Sequence, residues 1–133
     1  MPIDVHSLTI MFSTTFSGLT KSCVSLVDDQ GLDLFSSKGC GDDYQSEAIA
    51  ATLVRSIHES KKTIGDVDPS CSDLRNVTFE TKDKVLHCSE IPHNGIYLII
   101  RTPKQHYTKT REILDSFIET LEAFTAMQEM DGV

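Results

Sequence analysis

The chain is predicted to fold as a mixed α/β domain: one five-stranded antiparallel sheet, with a single helix on one face and two helices on the other. Three observations predict it. Ile96-Tyr97-Leu98-Ile99-Ile100 is a short, β-branched run with apolar bulk on both faces, fenced by Asn94-Gly95 and Thr102-Pro103, so it reads as a central strand covered from both sides. Two stretches of alternating apolar and polar residues read as hairpins. Three further segments place apolar residues at helical spacing, which supplies covers for both faces.

Taken in order, Val5, Leu8, Met11, Phe12 and Phe16 form the apolar stripe of a first helix, with Asp4 or Ser7 as N-cap and Gly18 as a stop. Ser22 to Val27 and Leu32 to Phe35 flank Asp28-Asp29-Gln30-Gly31, a turn whose glycine can take positive φ. Lys38-Gly39-Cys40-Gly41 leads to Asp42-Asp43, acids placed to cap the second helix. That helix is expected from about Tyr44 to about Ser60, with Ile49, Ala50, Leu53, Val54 and Ile57 on the sheet side and Ala48, Arg55 and Glu59 opposite. The polar stretch from Lys61 to Ser72, with Gly65 and Pro69, reads as a surface loop. Leu74 to Glu80 alternates, turns through Thr81-Lys82-Asp83-Lys84 and returns as Val85 to Ser89, so with the central strand it makes a meander whose outer member is a sheet edge. Ile113, Leu114, Phe117, Ile118, Leu121 and Phe124 share one side of a closing helix, and Met127 to Val133 reads as a frayed, flexible tail.

At 133 residues one domain is the simplest division. The net charge of −8, from 12 basic and 20 acidic residues, argues against nucleic acid and against anionic lipid. No stretch has transmembrane length and no lipidation signal is present, so any membrane is expected to be reached through a partner rather than by direct insertion. Cys23, Cys40, Cys71 and Cys88 form no CxxC pair and follow no secretory leader, so they are expected to be reduced cytosolic thiols, with Cys23 a small core residue. The sequon Asn76-Val77-Thr78 is then a chance match.

No catalytic or cofactor pattern emerges. Gly39-Cys40-Gly41 is neither GxGxxG nor GxxxxGK, and the acids after it repel phosphate. The histidines at 6, 58, 87, 93 and 106 have no metal-ligand spacing; His87 and Cys88 are strand neighbours that point to opposite faces. No nucleophile elbow is present. Neither an enzyme, a cofactor nor a metal is expected.

The order helix, two strands, helix, three strands, helix, with Val24-Ser25-Leu26-Val27-Asp28-Asp29-Gln30-Gly31-Leu32 as a first hairpin, resembles the roadblock/dynein light chain family. The likeness continues through Phe35-Ser36-Ser37-Lys38-Gly39, the small-residue helix around Glu47-Ala48-Ile49-Ala50-Ala51, and Leu98-Ile99-Ile100 before the last helix, and it covers nearly the whole chain. Within the family, the helix lengths and Ala48 to Ala51 are most similar to the roadblock subunit of the Ragulator adaptor complex; the acidic stretch from Gly65 to Asp73 departs from the simplest members. The resemblance implies a non-catalytic scaffold on late endosomes, lysosomes or the vacuole. It would pair with a second roadblock-like subunit, as a heterodimer or else a homodimer, sit on a lipid-anchored scaffold and dock Rag-type small GTPases in TOR nutrient signalling. The alternatives are an activator of a small GTPase, as among bacterial roadblock proteins, or a dynein light chain; a small-ligand sensor would need a pocket where Phe and Leu fill the core.

The expected partner surface is the second helix with the edge strand. The strand lacks an internal proline that would block pairing, so Arg75, Asn76, Val77 and Thr78 can join a partner's strand. On the helix, Ala51 is small enough for close approach, and Ala50, Val54 and His58 are expected to supply contact area. The first and last helices remain for a further partner.

Overall fold

The structure, a computed structural model, describes residues 4–37, 40, 45–91 and 95–131, and the side chains of all of these but 5, 45–47 and 128–131. Its elements in chain order are α1 (Val5–Phe16), β1 (Cys23–Asp28), β2 (Asp33–Ser36), α2 (Gln45–Val67), β3 (Asn76–Glu80), β4 (Lys84–Ile91), β5 (Ile96–Pro103) and α3 (Tyr107–Asp131). The five strands form one sheet in the order β2-β1-β5-β4-β3, every pairing antiparallel. β5 is therefore central, and β2 and β3 are the two open edges.

Local chemistry accounts for the ends of these elements. The Asp4 carboxylate accepts from the Ser7 amide at 2.9 Å and its hydroxyl at 2.8 Å, which caps α1. Between β1 and β2 the Asp28 carboxylate accepts from the amides of Gln30 and Leu32, and Gly31 takes φ +83° to close the turn.

Strand alternation sorts the core into two layers. Val24, Leu26, Leu98, Ile100 and Ile91 pack with Leu8, Phe12 and Phe16 of α1 and Leu114, Phe117 and Leu121 of α3. Val27, Cys88, Tyr97 and Ile99 pack on the other side with Ala50, Leu53, Val54 and Ile57 of α2. The helices divide over the faces as the sequence predicts.

Four expectations are corrected. α2 continues past Ser60 to Val67, so most of the expected loop is helix, followed by a 3-10 turn at Pro69–Cys71. Gly65 is tolerated inside it, and the helix stops at Asp68 because the residue before a proline is pushed out of helical conformation. The edge strand starts at Asn76 rather than Leu74. α3 runs to Asp131, through most of the expected tail. Cys23 and Cys40 form a disulfide, which leaves Cys71 and Cys88 as the free thiols. The main chain makes that pair: Ser37 donates to the Val24 carbonyl and Cys40 to the Ser37 carbonyl, folding the segment after β2 back over β1. Sequence spacing does not register a contact of this kind. Gly39, Gly41, Asp42, Asp43 and Tyr44 lie outside the described residues.

The β1–β2 turn is held against α2 at one point. A Cβ on Gly31 would stand 2.5 Å from the Ala51 Cα and 2.7 Å from its amide nitrogen, both helix backbone that cannot yield. Gly31→Ala adds this overlap to an unfavourable positive φ, so it is expected to cost on the order of 2–4 kcal/mol of stability, read by denaturant unfolding. A loss below about 0.5 kcal/mol would mean the turn does not bear on the helix as described.

A candidate pairing edge and the histidine network behind it

Among the described strands β3 pairs with β4 alone, in the register Asn76↔Ser89, Val77↔Cys88, Thr78↔His87, Phe79↔Leu86 and Glu80↔Val85. The Arg75 carbonyl accepts from the Glu90 amide, and the Thr81 amide donates to the Lys84 carbonyl. Hydrogen-bonded positions alternate along an antiparallel pair, so Arg75, Val77, Phe79 and Thr81 turn their main-chain groups toward β4. Asn76, Thr78 and Glu80 turn theirs outward, where a further strand could add.

Their side chains follow the same alternation. Val77 and Phe79 stand on the α2 face, Val77 packed against that core and Phe79 44% exposed. Asn76 and Thr78 stand on the α3 face, where each is tied to a buried hydrogen-bond network.

His87, with no exposed surface, is the centre of that network. Ser89 Oγ donates to Asn76 Oδ1 at 2.6 Å, so it accepts from His87 Nε2–H at 2.7 Å; this assigns the neutral Nε2–H tautomer. Nδ1 then accepts from the Thr78 hydroxyl at 2.7 Å and faces Arg111 Nη1 of α3 at 3.4 Å. Arg111 is itself held by Tyr107 Oη at 3.0 Å and by Asp115. Burial, reinforced by the Arg111 charge and partly offset by Asp115, lowers the His87 pKa from 6.5 to about 4. A histidine that reads as an isolated strand residue thus bridges the edge strand to α3.

The helix residues expected at the partner surface stand away from this edge. Ala50 and Val54 are 1% and 2% exposed against the sheet, so they do not supply contact area as the sequence suggests. The close approach that Ala51 permits is used within the chain, by Gly31. His58 is exposed and bonds Tyr97 Oη at 3.1 Å, over β5 and two strands in from the edge. Ala51, Val54 and His58 instead border a shallow depression of about 310 Å³ with Asp29, Gln30 and Arg55. The part of α2 beside β3 is its last two turns, where Ile64 is 41% and Val67 84% exposed. Ile64 follows Ile57 by seven residues and continues its stripe, a periodicity that the polar residues around it obscure in the sequence.

Among the described residues no cluster of His, Cys, Asp or Glu could hold a metal, and no helix is long and apolar enough to cross a membrane. The burial of Cys88 raises its thiol pKa to about 12, so it is protonated at neutral pH.

The network sets a pH dependence. Folded His87 stays neutral down to about 4, whereas unfolded His87 takes a proton below about 6.5, so its contribution is full above 6.5 and is lost as pH falls toward 4. The whole contribution is on the order of 3 kcal/mol. In unfolding measurements at several pH values, the stability difference between the native chain and His87→Gln should shrink steadily from pH 7 to pH 4. Parallel curves would remove His87 from the account.

The sequence matches no protein-family model and no curated protein. Solved structures do match. A roadblock/LC7 domain from Streptomyces avermitilis has a TM-score of 0.66 at 13% identity, over 95% of this chain and 99% of that one. The gliding protein MglB of Thermus thermophilus has a TM-score of 0.70 at 10% identity, over 88% and 87% of the two chains. MglB of Myxococcus xanthus has 0.69 at 12% identity, over 90% and 96%. With the strand order and the split of the helices over the sheet, these likenesses establish that this chain has the roadblock/LC7 fold.

Proposed function

We propose that this chain is a non-catalytic pairing subunit of roadblock type that acts beside a small GTPase. The observation that carries the reading is the open β3 edge, with outward main-chain groups at Asn76, Thr78 and Glu80, on a roadblock/LC7 fold. An edge of this kind is a template for adding a partner's strand. The more specific reading, by the sequence resemblance, is a Ragulator-like scaffold that docks Rag-type GTPases on a lysosomal or vacuolar membrane through a lipid-anchored partner. The alternative within the same class is a regulator that activates the GTPase. The α1 and α3 side, on the opposite face of the sheet from α2, is free for that further partner while β3 is engaged.

Affinity purification of the chain from its native cell, with identification of what accompanies it, tests the reading. A roadblock-like chain and a small GTPase are expected to be recovered. The GTP hydrolysis rate of that GTPase, with and without this chain, separates a scaffold, which leaves it unchanged, from an activator. Recovery of neither protein overturns the proposal.

The edge itself is tested by two prolines. Thr78→Pro removes an outward N–H and should abolish pairing; it also removes the hydroxyl bonded to His87, so Thr78→Val, which loses that hydroxyl but keeps the N–H, is the control and should still pair. Val77→Pro removes a donor to β4 and should lower the melting temperature as well. If Thr78→Pro pairs with native affinity, the partner does not join at β3.

A further inference from the structure

Two lysines that no acid answers border one small cavity, of about 150 Å³, at the end of the sheet where α1 leads into β1 and β5 into α3. The loop after α1 forms one wall, with Thr20 and Lys21. The turn into α3 forms the other, with His106 and Lys109. Among the described residues no acid lines the cavity, and neither Lys21 nor Lys109 takes part in an ion pair.

The walls are held by a chain of buried hydroxyls. Thr110 donates to the His106 carbonyl at 2.8 Å, so the Ser22 hydroxyl, 3.0 Å away, donates to Thr110. With its proton spent there, Ser22 accepts from Thr102 at 2.6 Å. All three residues are at most 2% exposed, and they tie the start of β1 and the end of β5 to the first turn of α3. Lys21 precedes Ser22 and Lys109 precedes Thr110, so the main-chain positions that carry the two lysines are fixed relative to each other. The hydroxyl protons of the chain are committed within the protein. The donors left to a ligand are the two ammonium groups, the His106 ring and the Thr20 hydroxyl.

The surroundings reinforce the sign of the site although the whole chain carries −8. Cys23 pairs with Arg101 and Lys84 with Pro103, which places Lys21, Lys82, Lys84, Arg101, Lys104 and Lys109 at this end of the molecule. Glu80 and Asp83 are the acids of the strand ends and turns here, and Glu80 is bonded to Lys104 at 2.9 Å. Asp28 and Asp29 lie in the turn at the opposite end of β1.

We propose that this cavity binds a phosphate monoester group, carried by a small soluble molecule or by an inositol lipid headgroup. A water takes up about 30 Å³ of liquid, so the cavity holds a group of about five heavy atoms, the size of a phosphate and too small for a nucleotide. Ammonium groups meet phosphate oxygens in charge-assisted hydrogen bonds, and the basic end draws the anion in from solution. The proposal does not depend on the pairing reading.

Amide NMR of the intact chain, titrated with inorganic phosphate at low salt, is the test. Shifts are expected to be confined to residues 18–22 and 106–110 and to saturate with a dissociation constant on the order of 1 mM. Lys21→Ala with Lys109→Ala should weaken binding by about tenfold or more, whereas Lys82→Ala with Lys84→Ala, the same loss of charge at the same end but outside the cavity, should change it by less than about twofold. Inositol trisphosphate in solution, and vesicles of phosphatidylcholine with and without phosphatidylinositol bisphosphate, distinguish the two sources. Binding of the free trisphosphate without sedimentation assigns a soluble ligand. Sedimentation that needs the phosphorylated lipid and is lost in Lys21→Ala with Lys109→Ala assigns the headgroup. No saturable shift at tens of millimolar phosphate overturns the proposal, and so does equal weakening by the two double variants, which would show general attraction to the basic end and no site.

Discussion

Tyr97 and Ile99 on one side of β5, and Leu98 and Ile100 on the other, are each no more than 5% exposed, so one strand carries both layers of the core. Burying four such side chains stabilises the fold by roughly 6–12 kcal/mol, comparable to the whole net stability of a small domain. The rest of the architecture follows from protecting that strand. β1 and β4 flank it in long antiparallel registers, and α2 on one side with α1 and α3 on the other remove its side chains from water. Helices placed over both faces leave the two edge strands as the open margins of the sheet.

The two margins differ. β2 is four residues long and its turn is locked on α2 through Gly31. Behind β3, in contrast, the chain has built polar structure: the Asn76 and Thr78 side chains are bonded to Ser89 and His87, and Arg111 of α3 stands against the imidazole. Those bonds fix the side chains of the very residues whose main-chain groups face outward. A preorganised edge loses less conformational entropy when a strand is added, which favours association. The same bonds require a neutral histidine, and burial beside a guanidinium supplies it.

The disulfide and the path of α2 are linked to this division of labour. Cys40 is bonded to Cys23 of β1, so the segment that leads from β2 toward α2 is anchored to the sheet before the helix starts its crossing. From that side the helix crosses β5 and β4. One end of the helix is thereby tethered, while near the other Ile64 and Val67 are exposed.

Periodicity in the sequence determined the number and type of elements, the central position of β5 and the face each helix covers, because these depend on which side chains must leave water, and that pattern is local. The edge character of β3 was legible for the same reason: one of its faces is polar. Asn76, Val77 and Thr78, expected on an edge strand, do lie on one, but which of them point outward required the register with β4. Only the tertiary structure decided the rest. Lys61 to Val67 is helical although it reads as a loop, since its conformation depends on Ile64 continuing the stripe of Ile57 and on the stop at Pro69 rather than on local polarity. Ala51 meets Gly31; Cys23 meets Cys40 and His87 meets Arg111 across 17 and 24 positions of chain. Each is a contact between segments remote in sequence, set by how the strands are ordered in the sheet, and no local pattern encodes that order.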